Sequence, residues 1–297
     1  MRKSNRLHLL RFSPEFEFKT HYSKQEIQDE FLAQGLHWEV KSDPSIDNGW
    51  EVCPKADNHL KGNTGMTECD RVVNILNEKF NARQTYKTGF HIHWQLLDDD
   101  GLGIMTPKQL TNIMVDWYNF KRVIELILPE SRRGDDLTNL WGVSIHSVQA
   151  LRKVAEDVGA NDSTQLAEFI RRVGNHSTSD IRISSKHKTL EFRKAIFTVD
   201  NIKLSLWIEF TRNLIGYNCK ARQKNFRKIW SNPQDRLSLT HDKGLEWSFR
   251  QVWEYRAGNL GLLEVAERRA LQLARGNTSH QEAIRGITQR IKTRYNR

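Results

Sequence analysis

The stretch FSPEFEFK, Phe12 to Lys19, alternates without a break. Phe12, Pro14, Phe16 and Phe18 fall on one side; Ser13, Glu15, Glu17 and Lys19 fall on the other. That is the period of a β-strand with one face buried. Pro14 has no backbone N–H to give a ladder, so it points to the strand's beginning or to an edge. Working outward, the same two-faced pattern returns. Leu36 to Lys41 (LHWEVK) and Trp50 to Cys53 (WEVC) read as strands, joined by the turn chemistry of SDPSIDNG, Ser42 to Gly49. Phe90 to Leu96 (FHIHWQL) alternates again, and Ile181 to Ser184 and Thr189 to Ile196 read as strands.

Helices lie between them. Ser23 caps a helix over Lys24 to Ala33 that ends near Gly35. Val72, Val73, Leu76 and Phe80 recur at helical spacing within Thr67 to Phe80. Thr106 and Pro107 open a helix toward Leu128, since Pro suits the first helical position. Asp162 caps another to Val173, and Asp200 opens a long apolar-rich one toward Tyr217. Strands and helices do not alternate in regular strand–helix–strand units, so a doubly wound parallel sheet is not expected. The reading is α+β: a largely antiparallel sheet with helices on one face, over residues 1–217, and a basic helical C-terminal extension over 218–297.

The chain has 297 residues and a formal net charge of +10. Acidic and basic residues nearly balance up to Tyr217; the surplus lies almost entirely beyond it. That basic segment suits a solvated helical surface, and it also suits a nucleic-acid backbone or another polyanion. Three scattered cysteines, Cys53, Cys69 and Cys219, form neither a zinc spacing nor a disulfide framework, which points to a reducing cytoplasm. No apolar run reaches the roughly 20 residues of a membrane span. Met1 to Ser13 lacks the apolar core of a secretory signal.

The polar sides of the strands carry the chemistry. Glu15 and Glu17 share a face of the first strand. Glu51 faces away from the apolar side of WEVC. His91 and His93 stand opposite Phe90, Ile92 and Trp94. Glu191 and Arg193 stand opposite Leu190 and Phe192. A solvated sheet face is ordinarily mixed in composition; here it is concentrated in Glu and His. Clustered carboxylates repel unless a positive charge stands among them, and divalent metal supplies one. This ligand mixture suits Mg²⁺ or Mn²⁺, with the imidazoles leaning toward Mn²⁺. Arg193 is placed to hold phosphoryl charge. There is no P-loop, no dinucleotide-binding fingerprint and no nucleophile elbow.

In this order, the residues resemble the amidoligase family of the glutamine-synthetase-like superfamily. The matching motifs are Glu15 and Glu17 in PEFEF, Asp43 and Ser45 in KSDPSI, Glu51 in EVCP, Gly89, His91 and His93 in GFHIH, Ser131 and Arg132, and Glu191-Phe192-Arg193. Cys53 replaces the Ser of the family pattern. The segment NHSTSDIRISSKHK departs from the Tyr and Asn pattern before Glu191. The resemblance spans about Phe12 to Tyr217.

What the resemblance implies is a glutamine-synthetase-like sheet and an ATP-dependent carboxylate–amine ligase. ATP and two divalent ions are the implied cofactors. Glu17 and Glu51 are implied ligands of one ion; Glu15, Glu191 and one of His91 and His93 are implied ligands of the other. Arg193, with Arg132 or Arg133, is implied to neutralise phosphoryl charge as an acyl phosphate forms and an amine displaces it. The implied partners are a carboxylate and an amine of small-molecule or peptide type, with no membrane; an oligomer is compatible. Two other classes share some of these features. A metal-dependent hydrolase or nuclease would use the same Glu/His face without ATP. A non-enzymatic nucleic-acid-binding protein would use the basic C-terminal segment.

Overall fold

The computed structural model describes residues 6–47, 49–56, 58–85, 87–126, 145–174, 176–177 and 180–220. Among the described residues, seven strands form one antiparallel sheet: β1 Phe12–Lys19, β2 Trp38–Ser42, β3 Gly49–Pro54, β4 Gly89–Gln95, β5 His176–Ser177, β6 Ile181–Ser184 and β7 Thr189–Ile196. Their order across the sheet is β2-β3-β1-β4-β7-β6-β5. The helices are α1 Lys24–Ala33, α2 Gly62–Glu78, α3 Pro107–Leu126, α4 Ile145–Val158, α5 Leu166–Val173 and α6 Asn201–Lys220. None of the described helices is long and apolar enough to cross a membrane.

The alternation in β1 does what its spacing predicts. Phe12, Phe16 and Phe18 are buried and Lys19 is exposed, with Glu15 and Glu17 between these extremes. β1 lies in the middle of the sheet, not at its edge. Pro14 is tolerated there because the missing N–H falls between two pairings: Phe12 bridges to Leu60, and the β3 ladder begins at Phe16 opposite Val52. The outer strand β2 is covered by a side chain. Gln28 of α1 donates to the Trp38 carbonyl at 2.9 Å and accepts from the Val40 N–H at 3.0 Å, occupying groups a further strand would otherwise seek.

Helices cover the apolar face. Trp38 donates its indole N–H to Glu68 of α2 at 2.8 Å. The Trp117 ring of α3 packs on Phe192 of β7 with centroids 5.2 Å apart. Trp94 of β4 donates to Thr211 of α6 at 3.0 Å. Phe16 stacks on Trp38 and meets Phe90 and Phe197, which ties β1, β2 and β4 into one aromatic core. The opposite face of the sheet carries the acidic and imidazole side chains.

Several boundaries move. The helix expected from Thr67 starts at Gly62, and α1 runs over the expected residues with a full capping box between Ser23 and Glu26. The single helix expected over Asp162 to Val173 is a 3₁₀ turn, Ser163–Gln165, capped by Asp162, followed by α5. Helix α4 was not anticipated. Its apolar stripe, Val148, Leu151, Val154, Ala155 and Val158, recurs at helical spacing and packs between α3 and α5. The end of the α3 segment at Leu128 and the basic extension beyond Lys220 lie outside the described residues.

Candidate functional site

Register brings the polar side chains together. Across β1 and β4, Glu15 stands opposite His91. Across β4 and β7, His93 stands opposite Glu191, and across β6 and β7 Arg182 does the same from the other side. Across β1 and β3, Glu17 stands opposite Glu51, which in turn stands opposite Lys41 on β2. These pairs occupy three neighbouring rungs, Lys41–Glu51–Glu17, Glu15–His91 and His93–Glu191–Arg182, which together make a staggered row of charges with Lys41 at one end and Arg182 at the other.

The middle of the row is tight. His91 Nδ1 lies 3.3 Å from Glu15 Oε2, 3.5 Å from Glu17 Oε1 and 3.6 Å from Glu191 Oε1. His93 Nε2 lies 3.1 Å from Glu15 Oε1 and 3.7 Å from Glu191 Oε1. Its other nitrogen, Nδ1, is 3.1 Å from the Thr189 hydroxyl. Glu17 is fixed by the backbone: Gly89 donates its N–H to Oε2 at 2.6 Å. Between Phe90 and Ile92 the register with β7 shifts, a bulge that falls beside Arg193. Arg193 Nη1 donates to Glu191 Oε1, and Arg182 Nη1 approaches Glu191 Oε2 to 3.9 Å.

The face is recessed rather than open to water. Glu191 is 1% exposed and His91 5%. Burial pushes the Glu15 carboxyl up, but the His91 hydrogen bond and the close imidazole of His93 outweigh it and hold Glu15 well below the usual carboxylate range. Burial pushes His93 down; Glu15, then Glu191, more than reverse this, and the imidazole holds its proton above its ordinary value. Glu51 is pushed up to about 7, first by burial and then by the Glu15 charge, with Lys41 opposing. Burial also takes the Cys53 thiol up to about 12, so Cys53 is not an activated nucleophile.

The donor set fits a divalent cation. Glu15, His93 and Glu191 each offer one donor atom, and the three atoms lie within 4.8 Å of one another. Donors bound to one ion at about 2.1 Å stand about 3.0 Å apart at a right angle and about 3.4 Å apart in a tetrahedron. The contacts of His93 with Glu15 and Glu191, 3.1 and 3.7 Å, lie within a few tenths of an ångström of that spacing. Three enclosed atoms at the site also lack a hydrogen-bond partner: Arg182 Nε, Glu191 Oε2 and His93 Nε2, whose close approach to Glu15 does not have hydrogen-bond alignment. Enclosed polar atoms without partners are costly, and an ion would satisfy the Glu191 and His93 atoms.

Of the residues expected at the site, the fold gathers Glu15, Glu17, His91, His93, Glu191 and Arg193. Glu51 lies across from Glu17 but shares its surroundings with Lys41. Arg132 and Arg133, with Ser131, lie outside the described residues. Two site residues escaped the sequence reading, Arg182 and Lys41. Each alternates with apolar neighbours, Ile181 and Ile183 in one case and Val40 in the other, so the facing of both was legible; their nearness to Glu191 and Glu51 was not. The chain matches no family model and no curated protein.

Proposed function

We propose that this protein is an ATP-dependent carboxylate–amine ligase of glutamine-synthetase-like type, acting at a divalent-cation centre on the polar face of the sheet. The observation that carries the reading is the convergence of Glu15, His93 and Glu191 within 4.8 Å, with the guanidinium of Arg193 on the same carboxylate. Glu15, His93 and Glu191 would hold the ion, with His91 beside them. A divalent ion supplies concentrated positive charge where phosphoryl oxygens need it. Arg193 and Arg182 flank Glu191 and suit the planar recognition of phosphoryl oxygens. Phosphoryl transfer from ATP asks of a protein mainly positioning and electrostatic stabilisation, and this row of charges offers both. The order of the sequence motifs favours an acyl-phosphate route to an amide over simple hydrolysis. The free cysteines Cys53, Cys69 and Cys219 are in keeping with a reducing cytoplasm.

The test is calorimetric titration of ATP, with Mg²⁺ or Mn²⁺ present, into the wild-type protein and Glu191→Ala. Metal-dependent ATP binding that the substitution abolishes is expected. In turnover, measured as release of ADP and phosphate with carboxylate–amine pairs, Glu191→Ala is expected to lose on the order of 10²- to 10³-fold. Metal binding without ATP binding would replace the ligase with a metal-dependent hydrolase. Binding of neither would overturn the proposal.

A further inference from the structure

We infer that the chain holds one divalent ion rather than two, and that the ammonium of Lys41 takes the place of the second. The inference rests on the cation-centre reading above. Two ions need two donor sets. Glu15, His93 and Glu191 make one. The other would be built on Glu17 and Glu51, opposite one another on β1 and β3.

That second set is already engaged. Glu17 Oε2 accepts the Gly89 N–H, and Oε1 lies 3.5 Å from His91 Nδ1, so this carboxylate belongs to the β4 side of the row. Glu51 Oε1 lies 3.8 Å from Lys41 Nζ. Glu39 at 2.7 Å and Cys53 Sγ at 3.1 Å also contact the same ammonium. Among the described residues, Glu17 and Glu51 complete no group of three metal donors. An ion at Glu51 would stand within a few ångströms of an ammonium, and like charges at that distance repel strongly unless water intervenes. Lys41 is thus a positioning residue. It supplies a tethered charge beside Glu51 and keeps a mobile one out.

Counting Mn²⁺ tests this without any substrate. Calorimetry on the full chain is expected to find one tight Mn²⁺ in the wild type, with a spin-resonance spectrum free of Mn–Mn coupling. Lys41→Met is expected to take up a second Mn²⁺ at least about tenfold more tightly than the wild type does, and to show coupling. Lys41→Arg keeps a cation and should remain at one. If Lys41→Met does not fold, Lys41→Gln carries the same test. Two tight ions in the wild type, or one ion in every variant, would overturn the inference and leave the cation centre standing. No ion in the wild type would overturn both.

Discussion

Gly89 donates its backbone N–H to Glu17 Oε2 across 2.6 Å, and a Cβ at Gly89 would stand 2.7 Å from both that oxygen and His91 Nε2. The start of β4 is therefore shaped around a carboxylate and an imidazole. Neither can retreat freely, because Glu17 faces Glu51 across β1 and β3 and His91 is held among three carboxylates. Gly89→Ala is expected to cost about 1–3 kcal/mol of stability through crowding. It should also weaken Mn²⁺ binding by displacing His91 and Glu17. Chemical denaturation and a Mn²⁺ titration of the folded variant check the two effects. Wild-type stability with wild-type Mn²⁺ affinity would show that the approach is looser than described.

Glu51 predicts a pH dependence of its own. Its carboxyl is pushed up to about 7 from an ordinary 4.5. Between these values the folded metal-free protein binds more protons at Glu51 than the unfolded chain does. The stability from this group is present below pH 4.5 and is lost as pH rises through about 7. Glu51→Gln cannot ionise and escapes that loss. Thermal melts of metal-free protein should show Glu51→Gln gaining on the wild type as pH rises from 5 to 8. The gain should be on the order of 1 kcal/mol after allowance for solvent screening of a partly exposed group. A difference between the two proteins that stays constant with pH would contradict the assignment.

The apolar face offers a test of the fold independent of function. Trp94 donates its indole N–H to the Thr211 hydroxyl at 3.0 Å, and both residues are buried. Thr211→Val keeps the shape and removes the acceptor. The N–H then stays dry and unpartnered, at a cost of about 1–3 kcal/mol. Urea denaturation of the variant measures it. An unchanged midpoint would mean that α6 does not press on β4 as described.

Much of the architecture was legible because its signals are local. Ser23 and Glu26 form their capping box within one turn, and FHIHWQL shows its two faces in seven residues. Such features depend on neighbours a few positions away. Pro14 was legible in part: it stands near the beginning of β1, before the β3 ladder starts, although β1 is not an edge. A proline is excluded from a ladder only where its N–H is wanted, and the pairings on either side of Pro14 decide that. Helix α4 was equally local, since Val148, Leu151, Val154, Ala155 and Val158 recur at helical spacing, and the sequence reading passed over it.

The site divides along the same line. Sequence alone determined that Glu15, Glu17, Glu51, His91, His93, Glu191 and Arg193 share the polar side of their strands, because alternation at a period of two is a property of each strand by itself. It did not determine who meets whom. Glu15 and His91 are 76 positions apart, and their contact exists only because β1 and β4 are neighbours in one register. A slip of one residue would send either side chain to the apolar face. Only the tertiary structure decided that Glu191 sits between two arginines, that His93 completes the triad with Glu15, and that Lys41 stands beside Glu51. Cross-strand distance is set by pairing and packing, and neither is written in any single strand.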